Sequence, residues 1–541
     1  MDLMQLGFGE QLVLLLAYCY ILFKFLNTYI AIVLLVGTFT GIYLYLKNQS
    51  EYWKHHGIDG PEGNILFGHN LELRKGMGVV DTEWTKKYGK VFGTRIFGQQ
   101  DLVVSDLEIL RHVLAKDFSS FTNRRRQLGL KAPEDSNQLG PKLLTILEDE
   151  HWKNVRNTIT PAFTTGKIKN MVPIFNDTLK IFGEVMSDYA KSGAPMDLKE
   201  ICGGFAMDVI AKSAFGIDVD AQRDNSSPFI KYAKEIFSIT ITNPKLLVVL
   251  MFPNTVQRLE KIFKFQFLFP EGEKFFKDVL RAMIAERQQN PKKVNPDFLQ
   301  LLINAISEQV EKSDVDKDIM HAEISSGKRV KLTELEMMSQ SFLFLIAGYE
   351  TTATTLHFAL YLLALHPEIQ DRVVDEINTV VGEANEISYD HIGKLTYLEQ
   401  VINETLRMFV PVSRIDRSCT KDTTVNGVTI PKGCIVSVPV WVIHYDPEFY
   451  PDPQKFDPER FSPEEKASRD PLAYLPFGYG PRNCIGMRFA QLELRMALAY
   501  LVKNFKFTPC EQTEKMPIKL NLVGLTKPAS PILLTVEKRN E

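Results

Sequence analysis

The apolar and polar positions near the start of the chain predict a membrane segment. Residues 29–46 form a run of eighteen without a charge, and a helix of that length, at about 1.5 Å per residue, nearly spans a hydrocarbon core of roughly 30 Å. Residues 12–23 form a second apolar run, which ends at Lys24. That run is too short to cross by itself, so it either lies in the interface or extends a tilted helix.

Behind this segment the pattern predicts a fold that is mainly α with a smaller β portion. Residues 90–105 alternate as two short strands, and from there to about residue 410 the pattern is mainly helical. Thr333 and Glu336 have the spacing of a capping box. They predict the start of a long apolar helix that ends near His366 and Pro367. Strand-like runs return at residues 424–442 and near the C-terminus.

The chain therefore divides into three parts. Residues 1–50 are the predicted N-terminal anchor, with the span at about 29–46, and residues 51–80 are a hinge that leads into the domain. Residues 81–541 form one large domain, since no linker rich in Pro, Gly or Ser and no internal repeat interrupts them. The basic residues Lys47, Lys54, Arg74 and Lys75 follow the span at residues 29–46, so the positive-inside rule places this domain in the cytosol.

Charge and cysteine content exclude several function classes. The net charge of −3 gives no reason to expect nucleic acid as a partner. The six cysteines are scattered without CxxC spacing, which argues against a disulfide framework or a zinc site and fits a reducing compartment.

The string FGYGPRNCIG, residues 477–486, carries the strongest chemical signal. Gly478 and Gly480 allow backbone conformations closed to other residues and a close approach to a flat ligand. The predicted helix after Cys484 offers its N–H groups and the positive end of its dipole to the sulfur, which favours the thiolate. A thiolate in this loop can ligate a haem iron.

This string fits F-x-x-G-x-R-x-C-x-G and closely resembles the haem-binding loop of the cytochromes P450. Three further motifs of that family follow the expected order, namely HWKNVR, AGYETT and ETLR with its later PERF. The resemblance runs from about Gly57 to the C-terminus, and FTNRR and NETLR are similar to the family 3 branch, the broad-specificity drug and steroid oxidisers. One departure is Val410, where that branch usually has proline.

The resemblance implies a cytochrome P450 fold with haem b held by the thiolate of Cys484. It also assigns residues around the haem: Phe477, Gly478, Gly486 and Ala347 beside the plane, and Trp152, Arg156, Arg482, Arg124 and Arg414 as donors to the propionates. From the sequence itself, Trp152 and Arg156 are four residues apart and share a helical face.

Two pairs of polar residues on predicted helices can be interpreted either as structural or as chemical. Thr351 and Glu350 need partners if they are buried; the resemblance implies that they relay protons for O–O cleavage, and the alternative is a hydroxyl that bonds back to its own helix. Glu404 and Arg407 share a face, and with Arg460 of PERF they resemble a lock that holds the haem loop.

The aromatic stretch Phe229 to Phe276 is helical core by default, but the matching region of the family roofs the substrate cavity and contacts the membrane. Leu128 and Val412 are candidates for the pocket lining. Since no nucleotide-binding motif occurs, the resemblance implies electrons from an NADPH–cytochrome P450 reductase on the endoplasmic reticulum membrane, with cytochrome b5 as an optional second donor. Lys153 and Arg488 are candidates for the docking face.

These features predict a membrane-bound haem-thiolate monooxygenase that acts on lipophilic substrates. One alternative is an isomerase of the thromboxane synthase kind, which rearranges a peroxide without a reductase. Another is a non-enzymatic haem binder or sensor. The presence of Thr351 favours monooxygenation over the first, and the AGYETT string and aromatic stretch favour an enzyme over the second.

Overall fold

The computed structural model describes residues 6–126, 136–224, 226–238, 243–289, 297–307, 328–384, 386–522 and 524–539. Its α-helices in chain order are α1 Phe8–Phe25, α2 Thr28–Ser50, α3 Tyr52–His55, α4 Met77–Tyr88, α5 Leu107–Arg111, α6 Asp149–Ile159, α7 Thr165–Lys169, α8 Val172–Ser192, α9 Leu198–Phe215, α10 Pro228–Ser238, α11 Pro244–Met251, α12 Pro253–Phe263, α13 Pro270–Gln289, α14 Phe298–Ser307, α15 Glu334–Leu365, α16 Pro367–Val381, α17 Tyr389–Ile392, α18 Thr396–Met408, α19 Val440–His444, α20 Pro463–Ser468 and α21 Met487–Asn504.

The strands are β1 Val91–Ile96, β2 Gln99–Val104, β3 Met196–Asp197, β4 Ile415–Ser418, β5 Thr423–Val425, β6 Val428–Ile430, β7 Ile435–Val438, β8 Phe505–Pro509, β9 Leu520–Asn521, β10 Lys527–Pro528 and β11 Leu533–Lys538. They form a four-stranded sheet in the order β1-β2-β7-β4, a three-stranded sheet β3-β11-β8, and the pairs β5-β6 and β9-β10. The predicted class, mainly α with a smaller β portion, is confirmed.

The long helix α15 lies at the centre of the domain and begins where the sequence predicts. The Thr333 hydroxyl accepts a hydrogen bond from the Glu336 N–H at 3.2 Å, and the Glu336 carboxylate accepts one from the Thr333 N–H at 2.8 Å. The helix ends at His366, just before Pro367, and it packs against α9, α18 and α21. Because neighbouring helices surround it, its sequence is apolar on nearly all sides.

The first two helices have the length and composition to cross a membrane. Phe8–Phe25 and Thr28–Ser50 have mean hydropathies of 1.5 and 2.0, and most of their residues lie on the surface of the protein. The apolar run predicted over residues 12–23 is therefore part of a complete helix.

The segment after α2 is fixed to the four-stranded sheet. The indole of Trp53 is buried and donates a hydrogen bond to the carbonyl of Thr94 at 3.0 Å. Gly93 lies directly beneath that indole, where a Cβ would come within 2.1 Å of it. The predicted hinge thus begins with a side chain anchored on the domain.

Candidate active site

The cysteine loop has a backbone shape that its glycines make possible. Gly478 and Gly480 both have φ of +73°, and a Cβ on Gly480 would lie 1.9 Å from the carbonyl oxygen of Leu114. The Cys484 N–H donates to the carbonyl of Phe477 at 2.8 Å, which closes the loop. Helix α21 begins three residues after Cys484, and the N–H of its N-cap residue Gly486 donates a hydrogen bond to the sulfur.

Cys484 lies deep within the protein, yet its side chain faces a cavity and is accessible there. Burial raises the pKa of the thiol, while a hydrogen bond from the Gly486 N–H and the charges of Arg156 and Arg124 oppose that rise. In the part of the chain that the structure describes, no cluster of His, Cys, Asp and Glu could hold a metal ion.

The cavity has a volume of about 340 Å³, which lies in the usual range for small-molecule sites. Its wall is mostly apolar, and α6, α9, α15, α21, β4 and the cysteine loop all contribute to it. Most of the predicted site residues line it: Cys484, Phe477, Gly478, Gly486, Ala347, Thr351, Trp152, Arg156, Arg482, Arg124 and Val412. Leu128 lies outside the described residues.

Three nearly inaccessible guanidinium groups line the cavity, those of Arg156, Arg417 and Arg482, which are 3%, 1% and 4% exposed. The Nε of each is buried and has no hydrogen-bond partner among the residues that the structure describes. Burial lowers the pKa of Arg156 to about 10 and that of Arg417 to about 9, and burial with the charges of Arg124, Arg417 and Arg156 lowers the pKa of Arg482. Such a cluster fits an anionic ligand, since carboxylates would pair both the charges and the orphan donors.

Other contacts orient this cluster. The Arg156 guanidinium donates two hydrogen bonds to Asn483, each at 3.1 Å, and thereby joins α6 to the cysteine loop. The Arg482 guanidinium lies 4.4 Å from the centre of the Trp152 ring, within cation–π distance. The predicted propionate donors Trp152, Arg156 and Arg482 therefore lie together.

Arg414, by contrast, is not placed on the cavity wall. Its guanidinium forms ion pairs with the buried carboxylates of Asp81 and Asp101. With its donors used there, it does not fit the predicted role at the propionates, whereas Arg417 of β4 does. Sequence reasoning missed Arg417, although the two arginines are three residues apart and so point to opposite faces of an extended chain.

Thr351 and Glu350 are neighbours in sequence but point in different directions. Thr351 lines the cavity, and its hydroxyl donates a hydrogen bond to the Ala347 carbonyl at 2.7 Å. Glu350 is not part of the wall; its carboxylate is buried and lies 2.6 Å from the ammonium group of Lys527. The threonine is thus in place for chemistry in the cavity, whereas the part predicted for Glu350 stays a prediction.

The residues of the predicted lock contact one another in the structure. Glu404 and Arg407 are fully buried and joined by hydrogen bonds of 2.7 and 2.8 Å, and the Arg460 Nε lies 3.5 Å from Glu404. Burial opposes the charge on Arg407, but its bonds to Glu404 outweigh this and raise the pKa of the guanidinium. Arg407 also donates to the carbonyls of His444 and Pro453 at 2.9 and 3.0 Å.

His444 connects this lock to the loop and was missed by sequence reasoning. Its Nε2 accepts a hydrogen bond from the Leu475 N–H at 2.8 Å, so Nδ1 carries the proton and donates to the Arg407 carbonyl at 3.1 Å. Burial and the charge of Arg407 lower the pKa of His444 to about 3, which keeps the ring neutral. Leu475 is part of the segment that leads into the cysteine loop.

Glu493 is a second buried group that the sequence analysis did not single out. It is 1% exposed, its carboxyl is hydrogen-bonded to Thr352, and burial raises its pKa well above the usual range. Its Oε1 has no hydrogen-bond partner among the described residues. The sequence signal that could have identified it is a single glutamate between Leu492 and Leu494 on a largely apolar helix.

The remaining candidates lie away from the cavity. The aromatic residues from Phe229 to Phe276 are absent from its wall as far as the structure describes it; several pack in the core, and Phe263 and Phe265 are exposed. Lys153 and Arg488 are partly exposed, and Arg488 donates to the Thr165 hydroxyl at 3.3 Å.

Comparison with known proteins agrees with this geometry. Residues 58–536 match the family model described as Cytochrome P450. The chain is 37% identical to cytochrome P450 3A9 of Rattus norvegicus, over 94% of this chain and 96% of the relative. It is 38% identical to cytochrome P450 3A6 of Oryctolagus cuniculus (94% and 97%) and 37% identical to cytochrome P450 3A5 of Homo sapiens (92% and 95%).

Proposed function

Because the chain belongs to the cytochrome P450 family and is a haem-thiolate monooxygenase of the drug and steroid type, we propose that it oxidises lipophilic molecules with electrons from NADPH that a separate reductase delivers. One atom of O₂ would enter the substrate and the other would leave as water. The observation that carries the proposal is the single cavity that holds both Cys484 and Thr351 within a mostly apolar wall.

The residues of the cavity fit haem. Cys484 would provide a thiolate ligand for the iron, and Arg156, Arg417 and Arg482 would provide buried cations with orphan donors for the two propionates. Bound haem with a thiolate ligand supplies O₂ activation, because the sulfur increases electron density at the iron.

The chain contributes binding, exclusion of water and a hydroxyl. Phe163, Phe344 and Ile210 line the cavity and favour an apolar substrate over water. The Thr351 hydroxyl donates its hydrogen bond to the Ala347 carbonyl. Its oxygen therefore presents lone pairs to the cavity and can accept a hydrogen bond there. We therefore assign to Thr351 the role of passing a proton through its Oγ1.

The location and the partners are part of the same proposal. The apolar helices α1 and α2 would anchor the enzyme in the endoplasmic reticulum membrane with the domain in the cytosol, in line with the basic charges after α2. The reductase would dock on the face that carries Lys153 and Arg488, and cytochrome b5 would be a second donor.

The test is turnover in lipid nanodiscs with reductase, using testosterone as a lipophilic probe and ¹⁸O₂. We expect a product with one labelled oxygen that requires NADPH and reductase, and none with Cys484→Ala. Product formed without NADPH, as an isomerase would give, contradicts the proposal, as does failure to oxidise any of a panel of lipophilic probes.

A matched pair of variants tests the threonine. Thr351→Ala removes the hydroxyl from the cavity, whereas Thr354→Ala removes a buried hydroxyl that does not line it. We expect product per NADPH consumed to fall about tenfold or more in the first and to stay near the original value in the second. Equal losses in both would assign Thr351 to helix packing.

A further inference from the structure

The two N-terminal helices run antiparallel and contact each other. The Tyr18 hydroxyl of α1 lies 3.3 Å from the Thr38 hydroxyl of α2, within hydrogen-bond distance. Near the turn, Leu22 and Ala31 are buried although most of both helices is exposed. The Asn27 side chain caps α2 by accepting from the Tyr29 N–H at 2.9 Å, which fixes a turn of two residues between the helices.

Their lengths suit two crossings. At about 1.5 Å per residue, the 18 residues of α1 and the 23 of α2 extend roughly 27 and 35 Å, against a hydrocarbon core of roughly 30 Å. An antiparallel pair of this kind brings the beginning of α1 to the end of α2, which is the side that carries the catalytic domain.

At that end α1 is docked on the domain through a charged residue. The Glu10 carboxylate accepts hydrogen bonds from the Asn254 side chain at 2.9 Å, the Thr255 hydroxyl at 2.8 Å and the Thr255 N–H. Asn254 and Thr255 form the first turn of α12, so Glu10 also lies at the positive end of that helix dipole.

Glycines allow the helix to approach so closely. A Cβ on Gly7 would lie 2.1 Å from Pro253, and one on Gly9 would lie 2.5 Å from the Phe252 ring. Glu10 is only 8% exposed. A carboxylate removed from water is costly unless hydrogen bonds satisfy it; here the Gly7 N–H of its own segment donates one at 2.9 Å, and the domain donates the other three. The contact is therefore specific to this arrangement of α1 on α12.

The surface next to the contact fits a membrane. Helices α11 and α12 expose the apolar side chains Leu247, Val248, Leu259, Ile262 and Phe263, and α11 contacts α1. Exposed apolar patches of this kind mark interaction sites, and one that adjoins two membrane-spanning helices would lie in the same bilayer.

We propose that α1 and α2 form a transmembrane hairpin whose two ends lie on the side of the catalytic domain, and that Glu10 clamps α1 to the first turn of α12. The clamp holds the α11–α12 segment against the bilayer. This topology does not depend on haem chemistry, so it stands or falls separately from the monooxygenase activity.

The topology test uses three versions of the full chain made in microsomes. Each carries one glycosylation tag: before Met1, in a long flexible insertion between Leu26 and Asn27, or after Glu541. We expect modification of the inserted loop alone. Modification of the tag before Met1 but not of the tag after Glu541 would place the two ends on opposite sides and overturn the hairpin, as would an unmodified loop with both terminal tags also unmodified.

The clamp is tested by hydrogen exchange of the protein in nanodiscs. Glu10→Ala removes the acceptor of the Thr255 N–H, so we expect exchange at that amide to accelerate at least tenfold, with a smaller increase in Glu10→Gln. The control is Glu51→Ala, at the end of α2, with no change at Thr255. Unchanged exchange at Thr255 in both Glu10 variants would refute the clamp.

Discussion

Replacing His444 by alanine should weaken the cysteine loop without touching the cavity. The ring is fully buried and joins the lock to the loop through Leu475 and Arg407. Neither His444 nor Leu475 is a ligand of the iron. Any effect of the substitution on haem binding must therefore act through the position of the cysteine loop.

The size of the effect follows from the two hydrogen bonds. In His444→Ala the buried Leu475 N–H and the Arg407 carbonyl both lose their partner, and each unsatisfied group costs about 1–3 kcal/mol. The lost ring also leaves a space beside Tyr474, whose ring centre is 5.5 Å away. We expect the free energy of unfolding to fall by about 4 kcal/mol. His366→Ala is the control, because that ring is 33% exposed, pairs with Glu368 at the surface and otherwise lies against the Phe456 ring at 5.3 Å.

The assay is urea unfolding at pH 7 followed by circular dichroism and by the absorbance of the thiolate-ligated CO complex. We expect the CO signal of His444→Ala to disappear at lower urea than its helical signal, since the loop is released first. A difference between His444→Ala and His366→Ala below about 1 kcal/mol would refute the role of His444, because exposed pairs contribute about that much.

Acid should act on the same residue. The pKa of His444 is about 3 in the folded protein and about 6.5 when unfolded, so the unfolded state binds more protons between these values and stability falls as the pH falls. From pH 7 to pH 5 this residue should cost the wild-type protein about 2 kcal/mol. The stability gap between wild type and His444→Ala should therefore narrow by that amount; a gap independent of pH would contradict the buried neutral ring.

Three further predictions concern the cysteine loop, the arginines of the cavity and the ion pair of Lys527 with Glu350. Gly480→Ala should abolish thiolate ligation, because its Cβ would meet the Leu114 carbonyl at 1.9 Å, as read from the CO spectrum. Arg417→Leu should weaken haem retention about tenfold or more through loss of a charge-assisted bond, as measured by haem transfer to apomyoglobin. Lys527→Met should lower the free energy of unfolding by about 3 kcal/mol, because it leaves Glu350 buried and unpaired, and adding Glu350→Leu should restore most of it in urea unfolding.

Each has a control and a contrary outcome. Gly166→Ala, in α7 and away from the cavity, places no atom within 4 Å of the new Cβ and needs no left-handed backbone, so it should be tolerated; equal damage would show that the close approach at Gly480 is not the cause. Arg329→Leu, at an exposed position, should leave haem transfer unchanged. Additive effects of the Lys527 and Glu350 changes would deny their pairing.

Local signals in the sequence predicted the cysteine loop and the long helix well. The loop depends on contiguous residues, and the capping box at Thr333 and the proline after His366 set the ends of α15. Glu404 and Arg407 are one helical turn apart, so the sequence predicted that they share a face; the lock itself, with Arg460, was implied by the family resemblance. What these features share is that the decisive contacts lie within a few residues or within a single motif.

Other residues could not be placed from sequence, because their partners are distant. Arg414 pairs with Asp81, which lies 333 residues away, and nothing near either residue indicates that contact. Along α15 each residue turns by about 100°, so Glu350 faces Lys527 while Thr351 faces the cavity. In the sequence His444 is an ordinary residue of a short helix. Its role is visible only in the fold, where the lock and the cysteine loop contact its two ring nitrogens.

The most direct test of the central claim is the CO difference spectrum of the reduced, purified protein beside Cys484→Ala. We predict an absorption band at about 450 nm in the wild-type protein, as expected for a haem with a thiolate ligand, and its loss in the variant. A band near about 420 nm in the well-folded wild-type protein would contradict ligation by Cys484 and, with it, the monooxygenase mechanism.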